Sequence, residues 1–180
     1  MGLRLLLVSG SLRAVSTNTA VLRTLAEVAP DDVDCRLYDE LEALPAFNPD
    51  AEGPSLPPAV QRLRDAIHRA DAIVFSTPEY AGALPGSFKN LLDWSIGDDH
   101  ADSIYEKPVG WINASPRVAA GAYAELQTVL GYAHARVVAA ACVQLAVTST
   151  MIGPDGRIAD EPVRGELVRL VEVLATSATA

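Results

Sequence analysis

The chain has 180 residues, a length that favours one domain over residues 1–180, with a core large enough to need no disulfide or metal support. Hydrophobic residues make up 49% and charged residues 21%, a globular composition that argues against intrinsic disorder. Lys and Arg total 14 against 23 Asp and Glu, and the resulting net charge of −9 argues against nucleic acid or anionic membrane surfaces as partners.

Short apolar runs alternate with amphipathic stretches along the chain. Leu3–Ser9 is a near-continuous apolar run, typical of a parallel strand covered on both faces. In chain order we then predict helix Asn18–Ala29, strand Val33–Leu37, the proline-rich loop Asp39–Pro58, helix Ala59–Ala70, strand Asp71–Ser76, a helix from near Gly86, strand Pro108–Asn113, helix Ala120–His134, strand Arg136–Val147 and helix Glu161–Thr176. Val33–Leu37 is the more polar strand, which suggests an edge. This alternation predicts one doubly wound α/β domain with a parallel sheet and helices on both faces.

Membrane, export and metal signals are weak in this sequence. No apolar run approaches the roughly 18 residues that a membrane span needs. We interpret Val137–Val147, interrupted by Gln144, as a buried strand, and Leu3–Val8 as too short for a signal-peptide core. We therefore expect a cytoplasmic protein in which Cys35 and Cys142 are small core residues. The histidines share no metal-ligand spacing, so we expect no metal site.

Ligands of open α/β sheets bind beyond the carboxyl ends of the strands, where three loops have unusual compositions. The first loop, Ser9–Thr19, places hydroxyls, an arginine and an amide just before a helix. The free N–H groups of a helix start favour a phosphate, to which the loop can add side-chain donors: Ser11, Arg13, Ser16, Thr17 and Asn18. The alternative is that Ser16 or Thr17 merely caps the helix. The loop matches neither GxGxxG nor GxxxxGK[ST].

The second loop, Thr77–Gly86, contains two prolines that stiffen it and two glycines that allow close approach of a ligand. Such a loop can present backbone groups to the polar edge of a flat heterocycle. The alternative is a rigid turn before a helix. Glu79 has no neighbouring His, Ser or Cys partner, and we interpret it as a structural or backbone-contributing residue.

The third loop, Asn113–Arg117, follows the fourth predicted strand. Ser115 can meet the same ligand at its far edge, and Arg117 can attract an anionic cosubstrate; alternatively, Arg117 is an ordinary solvated residue. The sequence contains no nucleophile elbow and no acidic cluster with histidine. Any redox or transfer chemistry is therefore expected from a bound organic cofactor.

These loops carry a family resemblance. Gly10–Arg13 followed by Ser16–Asn18 resembles the phosphate loop of the NADPH-dependent FMN reductase family, which includes chromate, quinone and azo-dye reductases. The stretch Pro78–Trp94 is similar to that family's more specific signature, P-E-Y-x(4)-P-G-x(2)-K-N-x(2)-D-W. Ser115-Pro116 stands where the family has its third flavin loop. The resemblance covers residues 3–140.

The resemblance implies a flavodoxin-like fold with strand order 2-1-3-4-5 and FMN at the carboxyl edge of the sheet. The implied phosphate residues are Ser11, Arg13, Ser16, Thr17 and Asn18, and the implied isoalloxazine residues are Pro78, Glu79, Tyr80, Ala81 and Gly82, with Ser115 nearby. NADPH or NADH would reduce FMN, which would pass two electrons to a quinone, free flavin, chromate or azo compound in a ping-pong cycle. Ala81 and Ala83 stand where members often carry Asn and Ser.

The resemblance also implies a homodimer or homotetramer. Our interface candidate is the helix that carries Phe88, Leu91, Leu92 and Trp94; the alternative is that all four are core residues. A flavodoxin-type FMN electron carrier reduced by a protein partner is the competing function, and the acidic charge suits such docking. A scaffold that binds no flavin is a further alternative.

Overall fold

The fold is organised around a parallel sheet. The computed structural model describes residues 2–53, 56–98 and 100–178, and within these ranges five strands pair in the order β2-β1-β3-β4-β5. The strands are β1 Leu3–Ser9, β2 Val33–Tyr38, β3 Ala72–Ser76, β4 Pro108–Asn113 and β5 Arg136–Gln144. All four strand pairings are parallel, and the polar strand β2 lies at an edge. The predicted flavodoxin-like sheet and its order are confirmed.

Helices cover both faces of the sheet. They are α1 Thr17–Val28, α2 Pro58–Arg69, α3 Gly86–Ser95, α4 Ala120–Tyr132 and α5 Glu161–Ala178. Alternate side chains of β1 enter two separate cores, because successive residues of a strand point to opposite faces. Leu6 and Val8 pack with apolar residues of α2, α3 and α4, whereas Leu5 and Leu7 pack with those of α1 and α5. Among the described helices, none has both the length and the apolar character required to cross a membrane.

Two predicted elements end two or more residues earlier in the structure than expected. The strand expected over Arg136–Val147 ends at Gln144, and our interpretation of it as buried is wrong: β5 is an edge strand, and Ala139 and Ala140 are exposed. The helix expected to reach His134 ends at Tyr132, since His134 adopts a left-handed φ of 52° that α-helix cannot continue. The predicted loop Asp39–Pro58 contains two short 3-10 turns, and its Pro54 lies outside the described residues.

The two cysteines are partly buried free thiols. Burial raises the pKa of Cys35 and the pKa of Cys142 to about 11, because it disfavours the charged thiolate. Both side chains are therefore predominantly protonated near neutral pH, which fits packing better than redox chemistry.

Helix α3 is a core helix. Phe88, Leu91, Leu92 and Trp94 are each at most 1% exposed and belong to one of the two cores. The interface prediction for these four residues is therefore wrong, and the alternative core interpretation is confirmed. They face inward because α3 packs across the sheet, and no sequence pattern distinguishes an apolar stripe on a core from one on a partner.

The second half of the sequence signature, which contains Asn90 and Trp94, has a structural role. The Asn90 side chain accepts a hydrogen bond from the amide of Phe47 at 2.8 Å and donates one to the carbonyl of Pro45 at 2.9 Å. The indole N–H of Trp94 donates to the same Pro45 carbonyl at 2.8 Å, and its ring meets Phe47 edge-on. These contacts fasten the loop after β2 to α3.

Replacing Asn90 tests this anchoring. We expect Asn90→Ala to lower the free energy of unfolding by about 1–2 kcal/mol, because it removes two hydrogen bonds. Lys89→Ala is the neighbouring control; it breaks only the partly exposed ion pair with Asp93 and should change stability by less than about 0.5 kcal/mol. Chemical denaturation measures both variants, and equal effects would contradict a specific role for Asn90.

Candidate functional site

A cleft of about 140 Å³ lies at the carboxyl edge of the sheet. It brings together seven of the predicted site residues: Ser11, Arg13, Ser16, Thr17, Asn18, Pro78 and Tyr80. Glu79, Ala81, Gly82 and Ser115 lie on the adjoining loops but do not line it. Val15, Ser149 and Ile152 line the cleft without having been predicted. Ser149 and Ile152 follow β5 in the chain. The only sequence signal for placing them in the cleft was the rule that ligands bind at the carboxyl ends of strands.

The first loop ends in the N-terminus of α1. Ser16 is the N-cap residue, and its hydroxyl accepts a hydrogen bond from the amide of Thr19 at 3.4 Å. The capping interpretation of Ser16 is thus confirmed, although Ser16 also borders the cleft. The first turn of α1 carries no acidic residue in any of its described positions, so its free N–H groups retain their attraction for an anion.

Arg13 supplies a guanidinium group beside these N–H groups. The backbone amide of Arg13 donates a hydrogen bond to the hydroxyl of Ser11 at 3.3 Å, and this bond shapes the loop. The side chain is exposed, and within the described part of the chain it forms no ion pair. An anion entering the cleft therefore meets a cation that is not already neutralised by a nearby carboxylate.

Asn18 differs from the other loop residues because it is buried. Its Oδ1 lies 2.9 Å from the hydroxyl of Ser76 at the end of β3. The amide group is thus held against the sheet, and this contact secures the start of α1 to the neighbouring strand.

The second loop contains a tight turn. Tyr80 and Ala83 exchange both backbone hydrogen bonds, at 3.0 and 3.1 Å, and the two residues between them have φ angles of 52° (Ala81) and 78° (Gly82). Positive φ at both central positions is the type I′ arrangement. The tip is exposed, and a Cβ atom at Gly82 would have no atom within 4 Å, which leaves room for a flat ligand.

Helix α4 holds the second loop in place. The Glu79 carboxylate accepts a hydrogen bond from the amide of Ala122 at 3.0 Å, and Glu125 accepts one from the amide of Leu84 at 2.7 Å. A Cβ at Gly121 would lie 2.1 Å from the carbonyl oxygen of Gly82, so only glycine permits this approach. Glu79 therefore caps α4, which agrees with its interpretation as a structural residue.

The third loop has an unusual backbone. Val118 and Ala119 adopt left-handed φ angles of 73° and 43°, an arrangement that is rare for a β-branched residue. Asn113 holds it: its side chain donates to the carbonyl of Val118 and accepts from the amide of Ser115 at 3.2 Å. The hydroxyl of Ser115 accepts from the amide of Arg117, whose own side chain is exposed.

Comparisons with known proteins agree on the kind of protein. The sequence model of a family described as NADPH-dependent FMN reductase matches residues 3–150. An NAD(P)H-dependent FMN reductase of Pseudomonas aeruginosa is 39% identical over 93 residues, which are 52% of this chain and 50% of that protein. A quinone reductase of Pseudomonas putida is 37% identical over 114 residues, 63% of this chain and 61% of that protein. The chain thus matches only about half to three fifths of the length of these relatives.

A solved structure matches over nearly the full length. It is FerB of Paracoccus denitrificans, described as a flavoenzyme NAD(P)H:(acceptor) oxidoreductase. The similarity has a TM-score of 0.82 at 28% identity and covers 96% of this chain and 97% of FerB.

The turn conformation predicts the effect of replacing Ala81. We expect Ala81→Gly to raise the free energy of unfolding by about 1 kcal/mol, since glycine adopts a positive φ without the clash of a Cβ atom. Ala83→Gly is the matched control: Ala83 has no positive φ, and glycine there should destabilise the chain by about 0.5–1 kcal/mol. Thermal unfolding compares them, and a loss of stability in Ala81→Gly would contradict the type I′ turn.

Proposed function

Because this chain belongs to the NADPH-dependent FMN reductase family, we propose that it is an FMN-dependent oxidoreductase that uses NADPH or NADH to reduce a small-molecule acceptor. One observation carries the proposal: an anion-attracting helix start and an exposed, tightly folded turn border the same edge of the sheet. A ligand with a phosphate at one end and a flat ring at the other matches that pair of features.

The residues of the first loop suit the phosphate of FMN. Ser11, Ser16 and Thr17 provide hydroxyl groups, α1 provides backbone N–H groups, and Arg13 provides a positive charge. Asn18 contributes by keeping the helix start against β3. With a net charge of −9, the chain as a whole does not attract anions, so these local donors must provide the attraction.

The second loop suits the isoalloxazine ring. Pro78 and Tyr80 line the cleft, and the exposed turn at Ala81 and Gly82 leaves backbone groups accessible to the ring edge. Alanines at positions 81 and 83 provide no polar side chain, so recognition there must come from the backbone. Ser115 lies on the neighbouring loop, at the far edge of the proposed ring site.

When bound, FMN supplies a ring that takes a hydride from the nicotinamide and later gives two electrons to the acceptor. The residues of this chain orient the ring and the substrate, and they offer backbone donors to negative charge on the ring. The Glu79 carboxylate is already engaged by α4, so we assign it no proton transfer. We propose that donor and acceptor occupy the same exposed side in turn, in a ping-pong cycle.

The proposed acceptors are quinones, free flavin, chromate or azo compounds. The names of two relatives, an FMN reductase and a quinone reductase, support this range.

We also propose a homodimer or homotetramer. Three large apolar side chains near the cleft are each at least half exposed: Leu12, Val15 and Tyr80. Their exposure favours a subunit interface at this place.

The central test uses the colour of bound flavin. We expect the purified chain, saturated with FMN and washed, to retain flavin absorption that NADPH bleaches anaerobically within catalytic times, and a quinone to restore it. Retained flavin that stays oxidised with both NADPH and NADH would instead favour an electron carrier reduced by a protein partner. Failure to retain or bind FMN in a titration would contradict the proposal.

Arg13 tests the phosphate site. We expect Arg13→Ala to weaken FMN binding by about 1.5–3 kcal/mol, the usual worth of a hydrogen bond to a charged group. Arg169→Ala is the control, since Arg169 is exposed on α5 and pairs with Glu166. Fluorescence titration gives both dissociation constants, and an unchanged constant in Arg13→Ala would remove Arg13 from the site.

A further inference from the structure

A chain of buried hydrogen bonds runs beneath the cleft and connects the bases of the three loops. It consists of Asn18 in the first loop, Ser76 and Thr77 where β3 becomes the second loop, Ile112 near the end of β4, and Tyr123 of α4. We call these five residues the buried network. All five are buried, and only Asn18 also lines the cleft.

The first half of the buried network contains Ser76. Its hydroxyl lies 2.9 Å from Oδ1 of Asn18 and 2.8 Å from the carbonyl oxygen of Ile112. Both neighbours are acceptors and the hydroxyl has one proton, so Ser76 bonds either the start of α1 or β4 at a given moment. The amide of Gly10 adds a backbone bond of 2.8 Å to the Ser76 carbonyl, so the first loop contacts this residue twice.

The second half contains Tyr123. Its hydroxyl accepts a hydrogen bond from the amide of Thr77 at 3.1 Å and donates to the Ile112 carbonyl at 2.6 Å. The side chain is 6% exposed, and burial raises its pKa well above the usual value, so the hydroxyl keeps its proton at any working pH. Tyr123 thus joins the first residue of the second loop to the same carbonyl that Ser76 reaches.

The Ile112 carbonyl is the point where the two halves meet. The pairing of β3 with β4 ends at Phe75 and Trp111, so this carbonyl lies beyond the paired register. A carbonyl oxygen has two lone pairs and can accept both hydroxyl groups, but Asn18 Oδ1 then loses the Ser76 proton. Without them, the buried oxygen and the buried amide of Thr77 would each lose a partner, at the cost of an unsatisfied polar group.

We propose that Ser76 and Tyr123 are positioning residues that couple the first loop to the second, so that a change beneath the second loop alters phosphate recognition at the first. The coupling rests on the function proposed above, because it assigns the phosphate to the first loop and the ring to the second. Neither residue lines the cleft, so both act through the backbone and Asn18. The Ser76 proton can go either to Asn18 or to the Ile112 carbonyl, where it competes with the Tyr123 hydroxyl. Loss of the Tyr123 hydroxyl therefore draws the Ser76 proton toward Ile112 and away from Asn18, which makes the two ends interdependent.

The first experiment needs no flavin. Amide hydrogen exchange of the cofactor-free Tyr123→Phe variant should be about three- to tenfold faster at Thr77 and also in residues 10–19. Tyr132→Phe is the matched control, because Tyr132 lies on the same helix and is 80% exposed. Faster exchange confined to residues near Thr77 would overturn the coupling.

Ser76→Ala provides a second variant, which removes the other hydroxyl and leaves the packing of α4 unchanged. It should accelerate exchange in residues 10–19, because Asn18 loses its partner, and slow exchange at Thr77, because Tyr123 no longer competes with Ser76 for the Ile112 carbonyl. The Thr77 rate is corrected for its intrinsic change next to alanine. An unchanged rate at Thr77 would overturn the proposal, because it would show that Ser76 does not affect the hydrogen bond between Thr77 and Tyr123.

The second experiment compares FMN with riboflavin, which lacks the phosphate. We expect Tyr123→Phe to lower the preference for FMN over riboflavin about three- to tenfold, although Tyr123 lies beneath the ring loop. Equal weakening of both ligands would overturn the coupling. If the wild-type chain binds neither flavin, the proposed function fails, and the exchange measurements alone decide whether the two loops are coupled.

Discussion

The close contact between the carboxyl ends of β1 and β3 is the constraint on which the site depends. The amide of Gly10 donates to the Ser76 carbonyl, and a Cβ at Gly10 would lie 2.3 Å from Oγ1 of Thr77 and 2.8 Å from the ring of Phe88. Only glycine allows the two strand ends to come this close. From here the chain leaves β1 toward α1 on one face and β3 toward α3 on the other, so a cleft opens between the loops.

Charge in this acidic chain is arranged locally. Several cations are neutralised by carboxylates away from the cleft: Lys89 by Asp93, Arg4 by Asp71 and Arg64 by Glu52. Arg13 stands beside the start of α1 without such a partner among the described residues. A net charge of −9 and an anion-attracting cleft are thus compatible, because attraction at short range depends on the nearest groups and salt screens the more distant ones.

The sequence signature combines residues with different physical roles. Pro78 and Tyr80 border the cleft, whereas Asn90 and Trp94 bind the loop after β2 and lie in a separate part of the fold. A motif match gives both groups the same weight, although only one of them can contact a ligand in the cleft. The failed interface prediction for α3 has the same origin, since an apolar helix stripe looks alike whether it meets the chain's own core or a partner.

The sequence by itself determined the alternation of strands and helices, the parallel sheet and the three loops, because apolar periodicity and loop composition are local properties. Seven of the predicted site residues meet in one cleft because their loops follow β1 and β3, which are adjacent in the sheet. The tertiary structure alone decided that the edge strand β5 is largely exposed, that Glu79 caps α4 and that Ser149 joins the cleft. It also decided the buried network, whose bonds join residues 58 and 46 positions apart, such as Ser76 to Asn18 and Tyr123 to Thr77. Contacts at such separations depend on how the helices pack on the sheet, and no local pattern records that packing.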